Sequence, residues 1–140
     1  MKEIPEGFVL FNRPSPFIHT LGPVYIKKED EYAVIGLRIE EKHANTRGIA
    51  HGGVLASLAD IALGYNLVFS TMPPRSLVTV NLTVDFIGSA RNGDWVEARV
   101  EIQKKEGRTA FASACLTVGK KQIVRASGIF LMGKPFEVHD

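Results

Sequence analysis

Between His51 and Arg75 the chain carries one charged side chain, Asp60. The run around it is Gly52-Gly53-Val54-Leu55-Ala56-Ser57-Leu58-Ala59-Asp60-Ile61-Ala62-Leu63-Gly64-Tyr65-Asn66-Leu67-Val68-Phe69. Its leucines and alanines favour a helix, and Pro73-Pro74 end it. The apolar residues surround the helix axis instead of lining one stripe, so such a helix needs cover on most sides. The low-charge stretch from Gly52 to Pro74 contains Asp60, Gly64 and two terminal prolines, so it reads as a buried helix and its exit, not a membrane span.

The rest of the chain supplies the cover. A strand is predicted from Tyr32 to Ile39, after a first quarter punctuated by Pro5, Pro14, Pro16 and Pro23 and read as irregular. After the helix, Val78, Val80, Leu82, Val84 and Phe86 alternate with polar residues, the period of a half-buried strand. Further strands are predicted over Val96–Gln103, Thr109–Val118 and Gln122–Leu131, with turns at Arg91-Asn92-Gly93, Glu106-Gly107 and Gly119-Lys120. Short connections between consecutive strands make an antiparallel meander the default. The expected architecture is α+β: an antiparallel sheet of five to six strands curled round one central helix. At 140 residues, 45% hydrophobic and 23% charged, residues 1–140 form a single domain. A net charge of +2 is too balanced to argue for nucleic acid. The single cysteine, Cys115, permits no intrachain disulfide and suits a reducing, cytoplasmic setting. The N-terminus, with Glu3 and Glu6 and an apolar run broken by Pro14, does not read as a secretory signal.

A carboxylate in an apolar helix is expensive unless it is partnered. A structural partner is one reading of Asp60; a general base or nucleophile is the other. The start of the helix complements the second. Gly52 and Gly53 let a ligand approach the backbone closely, and first-turn N–H groups lack intrahelical acceptors and sit at the positive end of the helix dipole. They suit a developing oxyanion. Gly53 and Asp60 are seven residues apart, which is roughly 10 Å along a helix. A carbonyl held by the helix start needs its attacking group within about 3–3.5 Å. One chain cannot serve both ends of one carbonyl. Two chains can, if a two-fold axis sets their helices side by side and antiparallel, so an obligate homodimer with two composite sites is predicted.

The loop and helix read His43-x-Asn45-x-x-Gly48-x-x-His51-Gly52-Gly53-x-x-x-x-Leu58-Ala59-Asp60. This pattern resembles the hotdog-fold acyl-CoA thioesterases of the phenylacetate-degradation (PaaI-like) type. The resemblance implies hydrolysis of an acyl- or aryl-acyl-CoA thioester at a dimer interface, without metal or resident cofactor, coenzyme A being part of the substrate. It implies Asp60 as nucleophile or general base and the Gly52 or Gly53 N–H as the carbonyl's donor. It also implies Asn45 beside the thioester or water, His51 holding the loop or the thioester end of CoA, and Thr79 positioning water beside the acid. Relatives of this kind commonly pair their dimers into tetramers. CoA's phosphates need cations, for which Arg91 and Arg108, both at turns, are the candidates. Tyr65 and Asn66 are placed at the helix's distal end, near the acyl pocket or the dimer seam, and Phe8, Phe11, Phe17 and Phe69 are further candidates for an acyl pocket.

Other residues read more plainly. His43 is expected to organise its loop, and Cys115 to be a core thiol. Ser57 bonds either the Asp60 carboxylate or the backbone. The histidines and Asp60 match no metal-ligand spacing, so no metal site is expected. Two other activities fit some of these residues. His51 with Asp60 could serve a hotdog hydratase or dehydratase, and the fold could be a non-catalytic acyl-CoA-binding module, although binding an anion gains nothing from Asp60.

Overall fold

The computed structural model describes residues 3–138. In chain order it comprises β1 (Val9–Leu10), α1 (Pro16–Leu21), β2 (Val24–Lys28), β3 (Ala33–Arg38), a 3-10 turn (Glu41–His43), α2 (Gly52–Val68), β4 (Arg75–Phe86), β5 (Trp95–Glu106), β6 (Thr109–Val118) and β7 (Lys121–Pro135). All seven strands join one antiparallel sheet in the order β1-β2-β3-β5-β6-β7-β4. The sheet curls round α2, which packs against β3, β4, β5, β6 and β7. The α+β arrangement of one long helix in an antiparallel wrap is as expected, with seven strands in place of five or six.

The first quarter is more ordered than its prolines suggest. Ser15 caps α1, its Oγ accepting from the Ile18 N–H at 3.3 Å, and Pro16 opens the helix, where its missing N–H costs nothing. β1 and β2 then extend the sheet beyond β3.

The expected four-strand meander is corrected: only β5, β6 and β7 follow one another in space. β4 pairs with β7 at the far edge, and β5 pairs with β3. Connection length explains the difference. Two residues separate β5 from β6 and β6 from β7, each pair opening on a glycine at φ +60°, Gly107 and Gly119; such turns make tight hairpins. Eight residues separate β4 from β5, enough chain to leave one edge of the sheet and re-enter elsewhere.

The helix is covered on one side only. Leu55, Leu58, Ala59, Ala62, Leu63, Asn66 and Leu67 are buried against the sheet, while Ser57, Asp60, Ile61, Gly64 and Val68 are half-buried and Gly53 is exposed. At 100° per residue these six form one stripe along α2. The sheet therefore supplies half of the cover that the all-round apolar helix calls for. Asn66, expected near the acyl pocket or seam, instead fastens α2 to β3. Its Oδ1 accepts from the Ala33 N–H at 2.8 Å, and its Nδ2 donates to the Ala33 and Ala62 carbonyls. No described helix is long and apolar enough to cross a membrane.

Candidate active site

Asp60 sits halfway along α2 on the uncovered stripe. Its Oδ1 accepts a hydrogen bond from Thr79 Oγ1 at 2.9 Å. That contact depends on a defect in β4. The β4–β7 register slips between Thr79 and Asn81, so Val80 is an extra residue, a β-bulge that reverses which parity faces inward. Before the bulge, Leu77 and Thr79 face the helix; after it, Leu82 and Val84 pack on the core. Unbroken alternation, as read from the sequence, puts Thr79 on the outer face. Val78 and Val80, read as inward, are 60% and 61% exposed.

The start of α2 is organised by two histidines. His43 is 2% exposed. Its Nδ1 accepts from the Glu40 N–H at 2.9 Å, so Nε2 carries the proton and donates to the Leu21 carbonyl. The ring thus ties α1 to the loop, as expected. The His43 carbonyl accepts from the His51 N–H at 2.8 Å. His51 is the N-cap of α2, its Nδ1 accepting from the Gly53 N–H at 3.2 Å. The Val54 and Leu55 N–H groups both point to the His51 carbonyl. Among the described residues, the Gly52 N–H is therefore the first-turn donor left without a protein acceptor. This separates the two glycines that the sequence could not rank.

Asn45 spends its side-chain oxygen on the loop, accepting from the Arg47 N–H at 2.8 Å and the Ile49 N–H at 3.4 Å. Its Nδ2 amide has no protein acceptor among the described residues and is the end available to a ligand. Ser57 Oγ donates to the Gly53 carbonyl at 2.8 Å, not to Asp60.

Asp60 and the His43–His51 end of α2 lie on two separate clefts of one chain, and Gly52, Asn45 and Thr79 are on the lining of neither. The first, about 270 Å³, is lined by Asp60, Ile61, Gly64, Tyr65, Val68 and Phe69 of α2, and by Phe11, Arg13 and Ile18 across from them. The second, about 460 Å³, is lined by Phe17, His43, His51, Gly53, Val54 and Ser57, with Leu21 and Lys42. The aromatic candidates divide accordingly. Tyr65, Phe11 and Phe69 wall the Asp60 cleft, with Tyr65 making ring contacts of 5.3 Å to Phe11 and 4.7 Å to Phe69. Phe17 lines the second cleft. Phe8 lies in neither and packs edge-on against Trp95 at 5.0 Å. Arg13 was not among the sequence candidates, because nothing in the irregular N-terminal segment ties it to Asp60.

The two cation candidates are not brought together. Arg91 pairs with Ile49 in an isolated bridge beside the Asn45 loop, at the start of α2. Arg108 lies at the β5–β6 hairpin, its Nε donating to the Met132 carbonyl at 3.3 Å. Met132 faces Leu77, which reaches Gly64 in the second half of α2. Within one chain Arg91 therefore lies beside the start of the helix and Arg108 on the side of its second half.

An antiparallel sheet rolled round one long helix is the hotdog fold. The chain belongs to the thioesterase superfamily, whose family model matches residues 47–124, more than half of its length, and it is a thioester hydrolase. It is 47% identical over 131 residues to a provisionally named esterase of Pseudomonas aeruginosa, covering 93% of this chain and 98% of that protein. It is 29% identical over 87 residues to acyl-coenzyme A thioesterase 13 of Mus musculus, covering 62% of this chain and 61% of that one. Its fold matches the PaaI protein of the E. coli phenylacetic acid degradation operon with a TM-score of 0.79 at 22% identity, covering 87% of each chain.

Proposed function

We propose that the protein hydrolyses acyl-CoA thioesters to a carboxylic acid and CoA in two sites, each assembled from two copies of the chain. One observation carries the reading. The carboxylate held by Thr79 and the unclaimed Gly52 N–H lie eight residues apart on one helix, which is about 12 Å along its axis. A two-fold axis passing beside Ala56, midway between them, brings Asp60 of one copy to Gly52 of the other. Two further features support a second copy. The α2 stripe carries small residues, Gly53, Ser57 and Gly64, that permit close helix approach. β4 is a twelve-residue sheet edge with Val78, Val80 and Phe86 more than half exposed, and native proteins do not leave such an edge in water. Pairing of dimers into a tetramer is part of the same proposal.

Each group then has a task. The Gly52 N–H of one copy receives the thioester carbonyl oxygen and stabilises its developing charge. Asp60 of the other copy, its Oδ1 fixed by Thr79, works through Oδ2. Acting as base, it takes a proton from water while the water oxygen bonds to the carbonyl carbon. Collapse of the tetrahedral adduct breaks the C–S bond, and the CoA thiolate takes up the proton that Asp60 holds. Acting as nucleophile, Oδ2 bonds to the carbon itself, expels CoA and leaves an anhydride for water to open. Incorporation of 18O into Asp60 in a single turnover marks the second route. The Asn45 amide orients the thioester or the water, and His51 holds both the helix start and the neighbouring end of the substrate. Arg91 of one copy and Arg108 of the other are the proposed phosphate contacts, since an antiparallel pairing brings opposite helix ends together. Tyr65 lines the acyl cleft. No metal or resident cofactor enters this scheme.

The test is release of free CoA thiol, which hydration of an enoyl thioester does not give. Asp60→Asn is expected to lower kcat/KM by at least about two to three orders of magnitude with the fold kept. Hydrolysis by that variant at near the parent rate would overturn the assignment.

A further inference from the structure

The Asp60 cleft is electrically polarised. The acid stands at one side and Arg13 lines the same space. The Arg13 guanidinium lies 5.1 Å from the centre of the Phe69 ring, and Phe69 is nine residues beyond Asp60 on α2 and its cap. No ion pair joins Arg13 to Asp60 or to any other carboxylate among the described residues. Its backbone is well used, the carbonyl accepting from the Ser15 N–H at 2.8 Å and from His19 Nε2 at 3.1 Å. Position 13 is therefore fixed by the entry to α1, and the side chain is laid over Phe69 with its five donors unspent. The same space is walled mainly by the apolar surfaces of Phe11, Ile61, Tyr65 and Val68, with Pro14 and Ser15 also on its lining.

We infer that the acyl group this site selects has an apolar body ending in a carboxylate, and that Arg13 is the residue that selects it. The chemistry follows from the layout. A planar guanidinium resting on an aromatic face is weakly hydrated and presents a fork that matches a carboxylate in two parallel hydrogen bonds. The like charge of Asp60 repels the terminal carboxylate, so the acyl chain enters in one direction, anion at Arg13 and thioester at Asp60. A neutral fatty chain gains the apolar walls but leaves the guanidinium unsatisfied. This inference rests on the acyl-CoA reading and adds the class of acid to it: the monothioester of a dicarboxylic acid.

The test compares matched pairs of acyl-CoAs, each dicarboxylic monothioester of about six to ten carbons against the neutral acyl chain of equal length. A charge-assisted pair in a partly closed site makes the expected preference in kcat/KM about tenfold or more for the carboxylated member. Arg13→Met should bring the ratio within each pair towards one, and Arg13→Lys, which keeps charge and loses the fork, should retain part of it. The ratio is the readout because a merely structural role for Arg13 lowers both members alike. The unmodified protein hydrolysing both members equally would overturn this inference and leave the thioesterase reading standing. Equal loss on both members in Arg13→Met would overturn it too, and would assign Arg13 to CoA's phosphates or to the fold. Hydrolysis of neither member would overturn the inference, and inactivity on aryl- and long-chain acyl-CoAs as well would overturn the acyl-CoA reading with it.

Discussion

Asp60 and Thr79 show what one side chain contributes beyond its charge. An isolated carboxylate on the helix surface has two rotatable bonds and samples several positions. A hydrogen bond from Thr79 at 2.9 Å holds one oxygen and leaves the other free. Losing that donor should loosen the carboxylate without removing it. If Asp60 acts as proposed, Thr79→Val is expected to lower kcat about tenfold, with KM little changed, because a misplaced carboxylate weakens the transition state more than the bound substrate. Thr79→Ser keeps the hydroxyl and should restore most of the rate. Steady-state kinetics of the two variants checks this, and a Thr79→Val enzyme near the parent rate beside an impaired Thr79→Ser would show that the methyl's packing matters and not the donor. At this scale the sequence was informative where chemistry is costly. Asp60 stood out because nothing else charged shares its stretch, and Thr79 because of the likeness to relatives. The choice between Gly52 and Gly53 was not legible, because it turns on His51 Nδ1 capping the second glycine. Nor was Arg13, whose place in the cleft is set by a six-residue helix and not by any pattern of its own.

The elements were legible where their period was long and clean. α2 was placed within a residue of its end, and β6 at both of its ends. Period-two alternation found β4 but misassigned part of its inner face, because one bulged residue shifts the parity and leaves no compositional mark. The pairing partners of β4 were misread for a related reason: alternation reports that a strand is half-buried, not beside which strand it lies. The far side of the sheet shows how tightly these elements are fitted. Gly36 on β3 lies under Trp95, the chain's one tryptophan, and a Cβ there would stand 2.2 Å from Trp95 Cζ2 and 3.1 Å from Phe8 Cε1. Trp95 is held from several directions, by Phe8, by Tyr25 at 5.8 Å, by the Arg38 guanidinium at 5.1 Å, and through its Nε1, which donates to Glu97 at 2.9 Å. Gly36→Ala must push the indole outward or open the β3–β5 pairing. The expected loss is about 1–3 kcal/mol, typical of overpacking a fitted interior, read from denaturant unfolding, with a red shift in the tryptophan emission. A variant with unchanged stability and emission would mean that the indole has room to move that the structure does not show.

For the whole molecule the decisive question is whether one chain makes a site. A shared site is argued from the spacing of positions 53 and 60 in the sequence, and of 52 and 60 once His51 claims the Gly53 N–H, and it can be tested without knowing the preferred substrate. Asp60→Asn removes the acid. Gly52→Pro removes the other half, because proline has no N–H and position 52 is the first residue of α2, where proline's fixed φ suits a helix. His51 before it is already extended, at φ −62° and ψ 139°, as the residue preceding proline requires. A Cβ at position 52 meets the edge of the Phe86 ring at 3.3 Å, the end of a side chain that is more than half exposed in the single chain. Each variant alone should be nearly inactive. In a mixed dimer, the Asp60→Asn chain lends its intact Gly52 to the intact Asp60 of the Gly52→Pro chain, so one of the two sites works and the other lacks both groups. Random reassortment of equal amounts makes half of the dimers mixed, and the mixture should recover about a quarter of the parent activity. A site contained in one chain gives no recovery, since each chain would carry its own lesion. Differently tagged chains, isolated as mixed dimers and assayed for thiol release, separate the two cases: half of the parent rate per dimer supports the shared site, and silence in proven mixed dimers refutes it.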